Sequence, residues 1–139
     1  MILRRCDEGE LLDVAGLNTI RVVLDRSETA RTEIGLETWR ASLVGPPHKH
    51  EEKEQVFLVT AGSGWVRVGT EQREARPGDL IYVPAGVEHQ TIASPHEDLQ
   101  YLLYNTFLDA RKEGHATFRE HIERVKATRR AQADSVAEA

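Results

Sequence analysis

Residues 78–89 read GDLIYVPAGVEH, in which a short apolar run is followed by a turn and a histidine. Residues 80–83 have the composition of a strand, and Pro84 ends it because proline has no amide hydrogen to donate to a sheet. Pro84 and Gly86 then predict a tight turn that redirects the chain towards His89. The segment therefore predicts a strand, a turn and a histidine beside the next strand.

A second stretch, GPPHKHEEKEQVF at residues 45–57, contains two histidines one residue apart. Alternate side chains of an extended backbone share a face, so His48 and His50 are expected to point the same way. We expect the two prolines to end one strand and to keep the chain extended. The charged residues 51–54 are expected to form a turn on the solvent side, before Gln55 begins the next strand.

Together the two stretches resemble the two sequence motifs of the cupin superfamily. Residues 78–89 match the second motif, Gly-x5-Pro-x-Gly-x2-His, and residues 48–62 are similar to the first motif. The first motif reads His-x-His, three or four residues, Glu, six residues, Gly. The resemblance spans about residues 38–107, with fifteen residues between the motifs, as in compact microbial cupins. The residues that carry it are His48, His50, Gln55, Gly62, Gly78, Pro84, Gly86 and His89.

The resemblance implies an all-β fold, an antiparallel double-stranded β-helix or jelly-roll barrel. The residue pattern agrees, because short apolar runs at a spacing of roughly 8–12 residues are typical of sandwiches and barrels. We expect a single domain over residues 1–139, with the barrel at about residues 19–108. The predicted strands lie at residues 20–24, one or two within 31–44, then 56–59, 65–68, 80–83, 91–92 and 99–107.

The C-terminal region predicts a short α-helix at about residues 117–132. Thr117 and Glu120 have the spacing of a capping box at its start. A narrow apolar stripe at helical spacing would allow the helix to dock on the barrel. This stripe consists of Phe118, Ile122 and Val125. The remaining histidines lie in polar or tail segments and are expected at the surface: His96, His115 and His121.

By resemblance, four side chains would bind a metal ion inside the barrel: His48, His50, Gln55 and His89. Three imidazoles and an amide oxygen suit Mn, Fe, Co, Ni or Zn. Four protein ligands also leave coordination positions open for water or substrate, as in a reactive site.

Three positions depart from the family pattern, which usually has Glu in place of Gln55. Glu54 is an alternative fourth ligand, because it follows His50 by three residues. Residues 54 and 55 point to opposite faces of a strand, and apolar alternation does not choose between them. The other departures are Ser42 for a glycine and Ala93 for an asparagine, and neither changes an expected ligand.

The amide in place of a carboxylate leaves a divalent ion with its full charge and favours an anionic, oxygen-rich substrate. The leading hypothesis is an enzyme that uses the ion as a Lewis acid, in sugar-acid or keto/enol isomerisation or tautomerisation. Glu54, Tyr82 and Tyr104 are candidates for the general acid or base, with Tyr101 and Glu88 as further candidates.

Two alternatives stay open: a dioxygenase acting on flavonols, thiols or diketones, and a barrel that binds a small molecule without turnover. The lining of the cavity is expected to discriminate between substrates. An arginine there, Arg40 or Arg67, would favour an acidic sugar, whereas an aromatic lining would favour an apolar substrate. The aromatic candidates are Trp39, Phe57 and Trp65.

Composition limits the partners of this 139-residue chain. Its net charge of −5 argues against nucleic-acid binding, which needs a basic surface. No run of apolar residues is long enough for a membrane span or a signal peptide. Cys6 has no second cysteine to pair with, so we expect a reducing cytoplasm and no catalytic thiol. We also expect a homodimer, formed through sheet edges that include residues 19–24.

Overall fold

The structure of the protein is a computed structural model, which describes residues 1–113 and 115–138, with side chains described up to residue 131. Ala139, the end of the predicted domain, lies outside the described residues. The described chain contains two antiparallel sheets and a C-terminal helix, α1 (Phe118–Glu138). The strands are β1 (Leu11–Val14), β2 (Asn18–Leu24), β3 (Thr32–Trp39), β4 (Lys53–Gly62), β5 (Gly64–Val68), β6 (Glu71–Ala75), β7 (Leu80–Val83), β8 (His89–Ala93) and β9 (Leu99–Phe107).

The larger sheet has the strand order β1-β2-β3-β9-β4-β7, and the smaller has the order β6-β5-β8. The prediction of an all-β jelly-roll fold with a C-terminal helix is confirmed. Two strands were not predicted. One is β1, with which the sheet begins before residue 19. The other is β6, whose sequence, EQREA, shows no apolar alternation. Residues 19–24 were expected at a dimer edge, which is wrong for the described chain because β2 pairs with both β1 and β3.

The core lies between the two sheets, where alternate residues of β3, β4 and β9 point inward. Trp39, Phe57 and Tyr101 form its aromatic part and are each no more than 3% exposed. The indole nitrogen of Trp39 donates a 3.0 Å hydrogen bond to the Tyr101 hydroxyl, and Phe57 stacks on Tyr101 at 4.5 Å. This cluster packs β3, β4 and β9 together on the inner face of the larger sheet.

Helix α1 docks on the barrel through the predicted apolar stripe. Phe118 and Ile122 are 1% and 2% exposed, and Val125 packs against the same core. A glycine on β3 makes room for this contact, because a Cβ atom at Gly35 would lie 2.6 Å from Ile20 and 3.3 Å from Phe118. The helix begins close to the predicted residue and continues beyond residue 132 to Glu138.

The start of the helix has one of the two hydrogen bonds of the predicted capping box, and the carboxylate of Glu120 accepts from Ala116 in place of Thr117. The Thr117 hydroxyl oxygen accepts a 3.1 Å hydrogen bond from the Glu120 amide, and the Glu120 carboxylate accepts one of 3.2 Å from the Ala116 amide.

Among the described residues, no helix combines the length and apolar character that a membrane crossing requires.

Several turns, among them those at Gly86 and Ser42, have backbone conformations in the left-handed region, where a side chain is disfavoured. Gly86, with φ of 77°, makes the turn before β8, and its amide donates a 2.7 Å hydrogen bond to the carbonyl of His50. Ser42 has φ of 71° at the position where the family pattern has glycine. Ser42 therefore adopts a backbone conformation that a glycine would adopt more readily.

We expect Phe118→Ala to lower the free energy of unfolding by about 3–5 kcal/mol, because a buried aromatic ring is replaced by a cavity. Chemical denaturation monitored by circular dichroism measures this change. Leu80→Ala is the control, since Leu80 is 65% exposed, and its effect should stay within about 0.5 kcal/mol. Equal effects for the two variants would contradict a docked helix.

Candidate metal centre

The two histidine motifs meet through a backbone bridge between His48 and His89. The amide of His48 donates to the carbonyl of His89 at 3.0 Å, and the amide of His89 donates to the carbonyl of His48 at 2.8 Å. Residues that exchange both hydrogen bonds lie opposite each other, so their side chains project from the same face. The prolines do not end a strand, since β3 ends at Trp39 and Val44 forms an isolated bridge.

Three imidazoles converge at this bridge. The ring centroids of His48 and His89 are 4.3 Å apart, those of His48 and His50 are 5.1 Å apart, and those of His50 and His89 are 5.5 Å apart. The potential ligand nitrogens lie within 4.8 Å of one another, which is compatible with binding one metal ion. His50 reaches the cluster because alternation turns Lys49 outward between the two histidines.

Backbone carbonyls select the tautomers of two of these rings. Nδ1 of His48 lies 2.9 Å from the carbonyl oxygen of Pro46, and Nδ1 of His89 lies 3.0 Å from that of Val87. A carbonyl oxygen only accepts, so each Nδ1 carries the proton and each Nε2 offers its lone pair. Among the described residues, Nε2 of His89 is buried without a hydrogen-bond partner. These rings are therefore prepared to bind a cation through Nε2.

The electrostatic environment keeps the three imidazoles neutral. Burial lowers the pKa of His48, and burial together with the positive charge of Lys53 lowers that of His50 well below its usual range. Burial and the neighbouring His48 lower the pKa of His89 to about 4. Neutral imidazole is the form that ligates a metal, so the site needs no deprotonation near neutral pH.

Gln55 faces the same cavity as the imidazoles and is 5% exposed. Its Nε2 donates a 2.9 Å hydrogen bond to Oδ1 of Asn105. Its Oε1 is buried and has no hydrogen-bond partner among the described residues. An orphaned amide oxygen costs free energy unless a ligand or cation binds it, so this atom suits a metal site.

Glu54 lies on the other face of β4. Its carboxylate accepts a 2.7 Å hydrogen bond from the hydroxyl of Tyr82, which is 49% exposed. The pKa of Tyr82 is raised by this hydrogen bond. The alternation of the strand thus places Gln55, and not Glu54, beside the histidines.

The site opens into a cavity of about 500 Å³ between the sheets and helix α1. Apolar side chains line much of it, including Trp39, Phe57 and Ile122. Five charged side chains also line it: Glu37, Glu52, Lys53, Arg124 and Arg129. A cavity of this size that combines apolar surface with polar side chains is typical of small-molecule sites.

The three leading candidates for acid–base catalysis, Glu54, Tyr82 and Tyr104, do not line this cavity. Glu54 and Tyr82 pair with each other on the outer face, and Tyr104 points away because Leu103 and Asn105 occupy the inner face of β9. Of the further candidates, Tyr101 lines the cavity and Glu88 is exposed. The physical reason is alternation, which assigns neighbouring residues of a strand to opposite faces.

The arginines in the cavity also differ from those considered from the sequence. Arg40 is exposed, and Arg67 pairs with Glu88 at 3.1 Å on the outer surface. Arg124 and Arg129, from α1, line the cavity instead. Of the aromatic candidates, Trp39 and Phe57 line it, whereas Trp65 does not.

The prediction of a surface position is wrong for His115 and His121, whereas His96 is exposed as expected. His115 is 6% exposed, and its Nε2 lies 2.9 Å from a carboxylate oxygen of Glu33. His121 lines the cavity, stacks on His115 at 4.5 Å and lies 6.1 Å from the ring of His50. Both were misplaced because the docking position of α1 depends on contacts distant in sequence.

Lys53 was expected in a turn on the solvent side, but β4 begins there and Lys53 is 2% exposed. Burial lowers the pKa of its ammonium group, and the nearby carboxylates of Glu33, Glu52 and Glu37 partly offset this effect. The sequence did contain a signal, since Lys53 lies two residues before Gln55 and therefore shares its face.

A second group of polar side chains, Asn18 and Glu37, also lines the cavity. Nδ2 of Asn18 donates a 2.7 Å hydrogen bond to Glu37, and Oδ1 of Asn18 is buried with no hydrogen-bond partner among the described residues. Burial raises the pKa of Glu37 to about 7, although the hydrogen bond from Asn18 and the charge of Arg129 oppose this. These side chains therefore offer acceptors to hydroxyl groups.

Sequence reasoning also missed Glu33 and Asn105, which are 0% and 1% exposed. The signal was present in the alternation of β3, which places Glu33 and Glu37 on the same face as Trp39. Two carboxylates on a core face are unusual unless they have partners, so this pattern indicates a polar interior.

The depressed histidine pKa values predict an acid-labile metal-free protein. The pKa of His89 is about 4 in the folded protein and about 6.5 in the unfolded chain. Between pH 4 and pH 6.5 the unfolded chain therefore binds more protons at this residue than the folded protein does. The contribution of His89 to stability is therefore lost as the pH falls below 6.5. Between about pH 7 and pH 5, the unfolding free energy of His89→Gln should fall less than that of the parent protein.

Urea denaturation at several pH values tests this expectation. The raised pKa of Glu37 acts in the opposite direction but is present in both proteins, so it cancels in the comparison. The exposed His96 provides the control, because His96→Gln should follow the parent curve. Parallel curves for His89→Gln and the parent would contradict a neutral, buried His89.

Residues 36–104 match the family model of the cupin domain. Among solved structures, KdgF from Halomonas sp. is 24% identical with a TM-score of 0.65, over 77% of this chain and 93% of that chain. A predicted oxalate decarboxylase from Thermotoga maritima is 15% identical with a TM-score of 0.70, over 77% of this chain and 100% of that chain.

The cupin domain of Cnp3 from Schizosaccharomyces pombe is 13% identical with a TM-score of 0.63, over 72% of this chain and 69% of that chain. No curated protein matches this chain in sequence. At these identities the solved structures show a shared fold, and the family model matches the segment that contains both histidine motifs. The chain belongs to the cupin superfamily.

Proposed function

We propose that the protein is a metal-dependent enzyme that acts on a small, anionic, oxygen-rich molecule. A divalent ion would be held by His48, His50, His89 and Gln55 and would act as a Lewis acid on a substrate oxygen. The reaction class is sugar-acid or keto/enol isomerisation or tautomerisation. The observation that carries the proposal is the neutral His and Gln site, which opens into a cavity with more basic than acidic groups.

The donor set fits a borderline transition metal, because three imidazole nitrogens and one amide oxygen suit Mn, Fe, Co, Ni or Zn. The convergent imidazoles and the orphaned Oε1 of Gln55 support this fit. Four protein ligands leave open positions for a substrate oxygen. When bound, the ion would polarise that oxygen and stabilise negative charge that develops on it.

The charge of the cavity favours an anion. Lys53, Arg124 and Arg129 line the cavity together with Glu37 and Glu52. Arg124 also pairs with Glu120 at 3.4 Å, and burial lowers the pKa of Lys53. The main attraction for an anion would therefore come from the ion, whose charge none of the four expected ligands offsets. The pKa of Glu37, raised to about 7, leaves that group only partly ionised near neutral pH. A substrate carboxylate would supply the missing negative charge, with Lys53 as its closest basic neighbour along β4 from Gln55.

Two further groups support a substrate with hydroxyl groups and a proton-transfer step. Oδ1 of Asn18, which has no hydrogen-bond partner among the described residues, offers an acceptor in the lining of the cavity. His121 is an imidazole that lines the cavity outside the expected ligand set, 6.1 Å from His50. We assign to His121 the transfer of a proton to or from the substrate, because of this position.

One solved neighbour has a name that refers to an anionic substrate. The Thermotoga maritima neighbour is described as a predicted oxalate decarboxylase, whose substrate would be a small dianion. At 15% identity this likeness shows a shared fold and carries no argument about the substrate. The proposal therefore depends on the cavity of this chain.

A dioxygenase is the second candidate, because Trp39 and Phe57 line the cavity and suit an apolar substrate. A fall in dissolved oxygen that depends on a flavonol, thiol or diketone would favour the dioxygenase.

A barrel that binds without turnover is the third candidate, and a metal-loaded protein that binds sugar acids without converting them would support this candidate. The expected homodimer and cytoplasmic location stay predictions.

Elemental analysis of protein purified without added metal tests the site. We expect about one equivalent of a transition metal in the parent protein and a marked loss in His48→Ala and Gln55→Ala, because each removes a ligand. His96→Ala, at an exposed histidine, should retain the metal. Full metal content in Gln55→Ala would exclude Gln55 as a ligand, and a metal-free parent protein would contradict the proposal.

Calorimetric titration of the zinc-loaded protein tests the substrate class. We expect glucuronate to bind more tightly than the uncharged glucose. Lys53→Met should weaken glucuronate binding about tenfold or more, since a charge-assisted contact is lost. Lys49→Met, at an exposed lysine, should bind glucuronate as the parent does. Equal binding of glucose and glucuronate would contradict an anionic substrate.

A further inference from the structure

Gln55 poses a problem of orientation that a glutamate ligand would not have. A carboxylate presents two equivalent oxygens, whereas an amide presents one oxygen, which can bind a cation, and one NH2 group, which cannot. The two amide orientations have nearly the same shape, so packing alone does not choose between them. Some other group has to turn Oε1 of Gln55 towards the cavity.

The pairing of three strands places such groups beside Gln55. Gln55 on β4 is opposite Asn105 on β9, and Asn105 is opposite Glu33 on β3. The three side chains therefore share one row on the inner face of the larger sheet. All three are buried, and each is no more than 5% exposed.

Hydrogen bonds connect the three side chains of this row, and each amide donates its N–H towards Glu33. Nε2 of Gln55 donates to Oδ1 of Asn105 at 2.9 Å, and Nδ2 of Asn105 donates to Oε1 of Glu33 at 2.8 Å. The other carboxylate oxygen of Glu33 lies 2.9 Å from Nε2 of His115. His115 is itself held by Arg26, whose guanidinium donates a 3.1 Å hydrogen bond to the His115 carbonyl oxygen.

The carboxylate at the end of the row determines the direction. A carboxylate only accepts, so Asn105 must turn its NH2 group towards Glu33 and its oxygen towards Gln55. Gln55 must then turn its NH2 group towards Asn105, which leaves its oxygen facing the cavity. Reversing either amide would bring two oxygens or two NH2 groups together in a buried place.

We propose that Glu33, acting through Asn105, is a positioning residue that presents the oxygen of Gln55 to the metal, and that His115 holds Glu33 in place. The inference rests on the proposed role of Gln55 as a ligand. It explains how the chain uses an amide where the family pattern has a carboxylate. The C-terminal segment thereby contributes to the metal centre, because His115 lies beyond the barrel.

A double-mutant cycle on the full chain distinguishes orientation from simple loss of structure, with Zn2+ affinity measured against a competing chelator. Glu33→Gln should weaken zinc binding about 10–100-fold, as is usual when a partner of a ligand is removed. In a Gln55→Glu background the same change should leave affinity unchanged or increase it. There the amide introduced at position 33 would allow Asn105 to turn its NH2 group towards the carboxylate at position 55.

Controls separate this inference from the proposed function. Glu71→Gln removes a negative charge at an exposed site on β6 and should not change zinc affinity. Asn105→Ala interrupts the row at its middle, and its zinc affinity should fall as in Glu33→Gln, which keeps the test decisive if Glu33→Gln does not fold. Circular dichroism establishes that each variant compared is folded.

The outcomes are distinct. A parent protein that does not bind one equivalent of zinc would overturn the proposed function. A zinc-binding parent whose affinity is unaffected by Glu33→Gln would overturn the positioning role alone. Equal weakening in the Gln55 and Gln55→Glu backgrounds would show a general structural effect and would also overturn it.

Discussion

The site depends on the pair of backbone hydrogen bonds between His48 and His89. These two bonds, at 3.0 and 2.8 Å, join segments that are far apart in sequence and place their imidazoles on one face. The turn at Gly86 supports the same contact, because its amide donates to the carbonyl of His50. A metal centre built on backbone pairing is rigid, and rigid placement of donors is what a reactive site requires.

Charge is the second organising feature. A buried site of neutral donors leaves the charge of an ion to be balanced by whatever enters the cavity, while Lys53 and Arg129 add to the positive potential. Glu37 and Asn18 supply acceptors in the lining of the cavity. In the proposed function, a metal ion at the histidines and the acceptors of Glu37 and Asn18 would together recognise a hydroxylated acid.

The sequence predicted the fold and the histidines because these follow from local patterns. Alternation, turn residues and motif spacing are encoded over a few residues, so His48 and His89 could be identified without coordinates. The role of His115 could not, because its burial depends on where helix α1 docks. Lys53 was misplaced because a charged run is usually solvated, although its spacing from Gln55 placed it on the inner face.

The central claim is that three imidazoles and the amide oxygen of Gln55 share one cation. X-ray diffraction from metal-loaded crystals, recorded at the absorption edge of the metal, tests it most directly. The account predicts a single anomalous peak within about 2.0–2.3 Å of a nitrogen of each of His48, His50 and His89 and of Oε1 of Gln55. A peak elsewhere, or one whose coordination omits two of these four side chains, would contradict it.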